Sequence, residues 1–257
     1  MPALLRAAVA AAAVVTVGAL LLLGCDTLFP EFSGKPVDAS VADGSSPADG
    51  GDASPRLQGT VCILADLRDY RSCAPGTTGL LRITVEETRE QSMTDLAGHF
   101  TLPLSAKLDV ATVAVIDPQG NFAPTIVPVR TQNGVAANLA LPIAAAPTLS
   151  SLALQNGLTN DPQRGTLVSW VVDATGAPVA GVTSNQTGAL YDDAGPSGLS
   201  AGHATHAHGT VALFDVAPTT LTLVLTPPPT LALKSDTFTL PIRAGALTAT
   251  TLYLPPR

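Results

Sequence analysis

From Arg56 onward the chain consists of short apolar runs that Gly, Pro, Asn and Asp interrupt at close spacing. Short runs rich in Val, Thr and Leu are typical of β-strands, and the frequent turn residues disfavour long helices. The sequence therefore predicts an all-β sandwich or barrel. The predicted strands are 57–64, 80–88, 99–104, 109–116, 124–130, 135–142, 165–172, 179–184, 187–191, 209–215, 219–226, 235–242 and 246–254.

This strand pattern occurs twice along the chain. Each copy opens with a Gly-Thr-apolar strand, continues through a turn that begins at Thr, and ends with a Gly followed by an apolar strand. The matched segments are Gly59-Thr60-Val61 with Gly165-Thr166-Leu167, 94–102 with 205–213, and 133–141 with 244–254. Self-similarity of this kind predicts two copies of one structural unit.

The motifs of these copies resemble those of the carboxypeptidase regulatory-like family. They are Asp173-Ala174-Thr175-Gly176-Ala177-Pro178-Val179-Ala180-Gly181-Val182 and the turn Thr94-Asp95 with Gly98, Phe100 and Leu102. The resemblance implies two tandem Greek-key β-sandwich domains of the transthyretin (prealbumin) type. It carries no catalytic zinc set, because the zinc ligands of carboxypeptidases belong to a separate domain. The chain departs from the pattern by an insertion with two cysteines in the first copy and another near 192–204 in the second.

The repeat predicts a first domain over 55–143, a connector over 144–163 and a second domain over 164–257. Within the connector, Leu149, Leu152 and Leu154 follow a Pro147-Thr148 start, which predicts a short helix.

The N-terminus has the layout of a bacterial export signal. Arg6 precedes an uninterrupted apolar run over 7–23, and Leu22-Leu23-Gly24-Cys25 resembles a lipobox. The resemblance implies a signal peptide over 1–24 and a diacylglyceryl group on the Cys25 thiol. An uncleaved membrane helix is the alternative, at the short end of the length that spans a bilayer. Both interpretations place 26–257 outside the cytoplasm, and neither identifies which membrane holds the chain.

Residues 25–54 are predicted to form a disordered tether. Between 26 and 54 six acids face one base, a net charge of -5, and few apolar residues are available to anchor the segment. From 55 to 257 the chain has 14 acids and 11 bases, with no basic cluster. Nucleic acid is therefore excluded as a partner, and the expected partners are the lipid bilayer and an envelope protein or polysaccharide.

Cys62 and Cys73 form an even pair in an exported chain, which predicts a disulfide. The bond would fix the polar loop that contains Asp66, Arg68, Asp69, Tyr70 and Arg71. This loop is either a recognition surface or a stapled insertion without a partner.

Three of the four histidines lie within AGHATHAHGT, at His203, His206 and His208. Such a cluster could ligate Zn or Cu. The repeat, however, places His206 and His208 in a turn, which favours exposed histidines without a ligand. No other cofactor is indicated.

No complete catalytic set appears in the sequence, and no catalytic residue is predicted. Gly198-Leu199-Ser200-Ala201-Gly202 matches the nucleophile-elbow pattern but lacks the helix and the downstream acid that the pattern requires. Asp192-Asp193 has no regular acidic spacing for Ca²⁺, and Glu86-Glu87 is interpreted as a solvated strand face.

Two functions from different classes fit these observations. The first is a membrane-anchored, non-catalytic envelope lipoprotein that acts as a binding or structural module, which includes docking through an exposed edge strand. The alternative is a metal-binding protein or metal-dependent enzyme that uses the histidine cluster.

Overall fold

The computed structural model describes residues 54–76, 79–159, 161–192 and 198–257. The predicted signal peptide, Cys25 and the tether up to residue 53 lie outside the described residues. The elements are β1 (Arg56–Leu64), a 3-10 helix (Tyr70–Ser72), β2 (Cys73–Pro75), β3 (Arg82–Val85), β4 (Gln91–Met93), β5 (His99–Pro103), β6 (Val110–Ile116), β7 (Thr125–Arg130), β8 (Val135–Ile143), α1 (Ala146–Gln155), β9 (Gly165–Val172), β10 (Thr183–Ser184), β11 (Leu190–Asp192), β12 (Leu199–Ala201), β13 (Thr210–Val216), β14 (Thr220–Thr226), β15 (Asp236–Pro241) and β16 (Leu247–Tyr253).

The all-β prediction is confirmed, and most strands lie where the sequence places them. In β5, Phe100 and Leu102 are buried while their neighbours are exposed, because side chains alternate between the two faces of a strand. The predicted strand 80–88 ends earlier, at Val85, since the chain turns there and Arg89 adopts a left-handed backbone with φ 65°. The predicted strand 179–184 is reduced to β10 behind a turn in which Gly181 has φ 80°.

The central strand pairing repeats in the two halves. β1 lies between β5, which is antiparallel to it, and β8, which is parallel to it. β9 lies in the same way between β13 and β16. A second layer completes each half, β3–β6–β7 in the first and β10–β14–β15 in the second. We call these halves the first and second β units; the domain boundaries proposed from the sequence stay a prediction.

Each β unit has its own hydrophobic core. Leu57, Ile83 and Val113 belong to the core of the first unit, and they are fully buried. Leu167, Leu223 and Ile242 belong to the core of the second. Aliphatic residues dominate both cores, as the low aromatic content of the sequence requires.

The two units are joined through a shared sheet and a third core. β16 of the second unit pairs in parallel with β7 of the first, which makes one nine-stranded sheet. β9 is buried along its whole length because its two faces are both covered. Its Leu167 and Val171 face the second core, while Val168 and Trp170 face the third core, which includes residues of both units.

Helix α1 covers part of this third core, and the predicted short helix is confirmed, with Pro147 in its first turn. Leu149 and Leu152 are buried against the core, whereas Leu154 is 76% exposed. No helix in the described part of the chain combines the length and the apolarity needed to cross a membrane.

Candidate functional site: the stapled loop and the histidine turn

A disulfide joins Cys62 in β1 to Cys73 at the start of β2, as predicted, with the two Cα atoms 5.2 Å apart. The bond closes the segment that we call the stapled loop, residues 65–72. Ser72 crosses the base of the loop: its Oγ accepts a hydrogen bond from the Asp66 N–H and donates one to the Asp66 carbonyl, both at 2.9 Å. Asp69 begins the 3-10 helix by accepting the Arg71 N–H at 2.9 Å.

Asp66 and Arg68 form an ion pair inside the stapled loop. The guanidinium Nη2 lies 2.8 Å from Asp66 Oδ2, and Nε donates to both carboxylate oxygens at 3.1 Å. The hydrogen bond from Arg68 holds the pKa of Asp66 below its ordinary value, although partial burial opposes this effect. The pair is therefore ionised at neutral pH and fixes the turn of the loop.

The stapled loop binds the second β unit through its backbone and through Tyr70. Trp170 Nε1 donates a hydrogen bond to the Leu67 carbonyl at 3.0 Å. The Tyr70 hydroxyl donates to the Gly176 carbonyl at 2.7 Å, and the Thr210 hydroxyl donates to the backbone carbonyl of Arg68. The loop thus binds another part of the same chain. The sequence analysis considered a recognition surface and an insertion without a partner, and it did not anticipate this contact.

The histidine turn, residues 203–210, is held by Asp192 in β11. This carboxylate is fully buried and accepts backbone N–H groups from His206 at 2.9 Å, His208 at 2.7 Å and Thr210 at 2.9 Å. Sequence reasoning missed this role, because nothing in the local pattern links an aspartate to N–H groups 14 to 18 residues away.

The predicted metal ligands lie in this turn, as the repeat indicated. His203 and His206 are exposed, and His208 is half-buried with Nδ1 3.9 Å from Asp69 Oδ2 of the stapled loop. In the ranges that the structure describes, no three His, Cys, Asp or Glu side chains come together to hold a metal ion. The metal hypothesis stays a prediction.

The other candidate groups occupy separate places. Ser200 lies in β12, opposite Tyr191 of β11, and not in a strand-to-helix turn. Glu86 forms a bidentate pair with Arg243 of the second unit, Nε to Oε1 at 3.1 Å and Nη2 to Oε2 at 2.5 Å. Glu87 instead accepts the Thr112 N–H at 3.0 Å, so the two glutamates are not paired with each other.

A groove of about 380 Å³ separates the stapled loop from α1. Leu67, Leu152 and Leu199 contribute apolar surface to it. Its polar lining includes the Asp66–Arg68 pair on the loop and Thr148, Ser151 and Gln155 on the helix.

No protein-family model matches the chain, and no curated protein matches it. Among solved structures, it aligns with the Bacillus anthracis TIE protein over 79% of its own length and 34% of that chain, at 13% identity and a TM-score of 0.27. It aligns with a Streptococcal ancillary pilin over 80% and 63%, at 11% identity and a TM-score of 0.24. It aligns with a shaft pilin of Lactobacillus rhamnosus GG over 79% and 98%, at 13% identity and a TM-score of 0.25. The chain spans less than two thirds of the first two proteins.

Proposed function

We propose that the chain is a lipid-anchored, non-catalytic protein of a bacterial cell envelope, whose joined β units serve as a binding or structural module. The observation that carries the proposal is the disulfide-stapled loop of the first unit, which binds the second unit at Leu67, Arg68 and Tyr70. A disulfide in this place fits an oxidising compartment outside the cytoplasm.

Several polar groups that could serve a catalyst are instead engaged in holding the fold. Asp192 fixes the histidine turn, and Glu86 and Arg243 connect the two units. Asp173 has a similar structural task. Its burial alone would raise its pKa, but hydrogen bonds from Thr175 and Ala177 outweigh this effect and lower the pKa. These uses support a structural or binding role, with an envelope protein or polysaccharide as the proposed partner.

Anchoring rests on the lipobox-like Leu22-Leu23-Gly24-Cys25 after the apolar run 7–23. Several acyl chains on one cysteine hold a protein on a membrane far more durably than a single chain. The repeated motifs support a carboxypeptidase regulatory-like assignment, with transthyretin-like topology in each unit, as part of the same proposal.

Metabolic labelling with a radioactive fatty acid tests the anchor. The full chain is expressed in a bacterial host as the wild type, as Cys25→Ser and as Cys62→Ser, and membranes are separated from soluble protein. We expect label in the wild type and in Cys62→Ser, because Cys62 lies outside the lipobox-like tetrapeptide. Cys25→Ser should carry none. An unlabelled wild type, or label that persists in Cys25→Ser, would contradict the proposal.

The metal alternative is tested by elemental analysis of the full chain purified in the presence of Zn or Cu. Stoichiometric metal in the wild type that is lost in His206→Ala/His208→Ala would replace our proposal with the alternative. Equal, substoichiometric metal in both proteins would support the binding or structural module.

A further inference from the structure

The contact between the stapled loop and the second unit depends on the path of the loop backbone. Two of its hydrogen bonds end on the main-chain carbonyls of Leu67 and Arg68, which hold their positions only if the backbone does. Leu64 and Leu67 also pack in the third core, and Tyr70 and Cys73 pack against it. Trp170 is 1% exposed beneath this cover, and its ring centroid lies 6.3 Å from that of Tyr70.

We propose that the Cys62–Cys73 disulfide is a redox-sensitive lock on this contact. While the bond is intact, the loop covers Trp170 and joins the two units. When the bond is opened, the loop leaves the second unit and the join loosens. The physical reason is chain entropy: the bond restricts the conformations of the segment it closes, and without it the loop must be ordered by its contacts alone.

Opening proceeds by thiol–disulfide exchange with a dithiol. One thiolate of the reductant attacks the Cys73 sulfur, the more accessible of the two because Cys62 is 4% exposed and Cys73 is half-buried. This step forms a mixed disulfide and releases the Cys62 thiolate. The second thiol of the reductant then displaces Cys73, so the reductant becomes a cyclic disulfide. Its two protons end on the Cys62 and Cys73 thiols.

The contact contains its own reporter, because Trp170 is the only tryptophan in the chain. The full chain in detergent micelles is treated with dithiothreitol, and the number of free thiols is titrated. Trp170 emission, its quenching by acrylamide and the far-ultraviolet circular dichroism are then recorded. We expect emission at longer wavelength and a severalfold higher quenching constant, with the strand signal retained, since this is a local opening.

A second variant tests, without reduction, whether Trp170 emission reports the seating of the loop. Leu67→Ala/Tyr70→Ala keeps both cysteines but removes the two side chains that seat the loop, and it should expose Trp170 in the oxidised protein. Leu154→Ala is the matched control, since Leu154 is 76% exposed and should leave the emission unchanged. Unchanged Trp170 quenching after complete reduction would overturn the proposal. Loss of the strand signal on reduction would also overturn it, because the bond would then support the whole fold.

Discussion

Asp192 is the residue whose replacement tests the account of the histidine turn most directly. Its Oδ1 accepts the N–H groups of His206 and Thr210, and its Oδ2 accepts that of His208. Asp192→Ala removes all three acceptors. Asp192→Asn retains a carbonyl oxygen for the first two N–H groups but turns an amide N–H₂ toward His208.

The loss in the free energy of unfolding depends on how well water can replace each hydrogen bond to Asp192. The Thr210 N–H is buried, so its loss costs about 1–3 kcal/mol as an unsatisfied donor. The bonds to His206 and His208 are half-buried, and water recovers part of each, which leaves about 1 kcal/mol apiece. Relief from burying a carboxylate offsets part of this sum. We expect a loss of about 2–4 kcal/mol for Asp192→Ala and about 1–2 kcal/mol for Asp192→Asn.

Urea unfolding followed by circular dichroism measures these differences. Asp236→Asn serves as the control, because within the described part of the chain the Asp236 carboxylate accepts a hydrogen bond only from the neighbouring Thr237 N–H. Its free energy of unfolding should stay within about 0.5 kcal/mol of the wild type. If the free energy of unfolding of Asp192→Ala equals that of the wild type, the histidine turn does not depend on this carboxylate. Equal decreases in the free energy of unfolding for Asp192→Ala and Asp192→Asn would refute the assignment of different N–H groups to the two carboxylate oxygens.

Three further outcomes are expected. Arg243→Met should lower the free energy of unfolding by less than about 1 kcal/mol, since the ion pair with Glu86 is partly exposed. A double-mutant cycle in urea should attribute that loss to the interaction between Arg243 and Glu86. Gly59→Ala should lower the free energy of unfolding by about 3 kcal/mol, because the new Cβ would lie 2.2 Å from the Leu139 carbonyl oxygen; retention of wild-type stability would show that the backbones of β1 and β8 can separate. The folded-state pKa of Asp66 is lowered, so its contribution to the free energy of unfolding is present above its unfolded pKa and is lost as the pH falls below about 4. The thermal midpoint of the wild type should therefore fall more than that of Asp66→Asn between pH 5 and pH 2, and an equal fall in both proteins would contradict this sign.

The strands and the disulfide could be predicted because their causes are local. The apolar run of β9 predicts a strand, and the pairing of Cys62 with Cys73 follows from an even count in an exported chain. The helix that begins beside Pro147 was likewise predictable from its start, although Leu154 does not share the buried face of Leu149 and Leu152. The short strands β2, β4 and β12 were missed, because three residues are too few to show alternation.

The contacts between the two units could not be predicted in the same way. The sequence predicts that β16 is a strand but not that it pairs with β7, since either edge of a strand offers the same backbone groups. It predicts a strand that contains Trp170 but not that a loop about 100 residues earlier in the chain covers this side chain. The role of Asp192 was hidden for the same reason, because its three partners come together only in the folded chain.

The intact mass of the protein extracted from bacterial membranes tests the central claim most directly. We predict a chain that begins at Cys25 and carries a diacylglyceryl group, with two hydrogens fewer than the reduced form because Cys62 and Cys73 are bonded. A chain that retains residues 1–24 and has no lipid on Cys25 would contradict the claim that this is a lipid-anchored envelope protein.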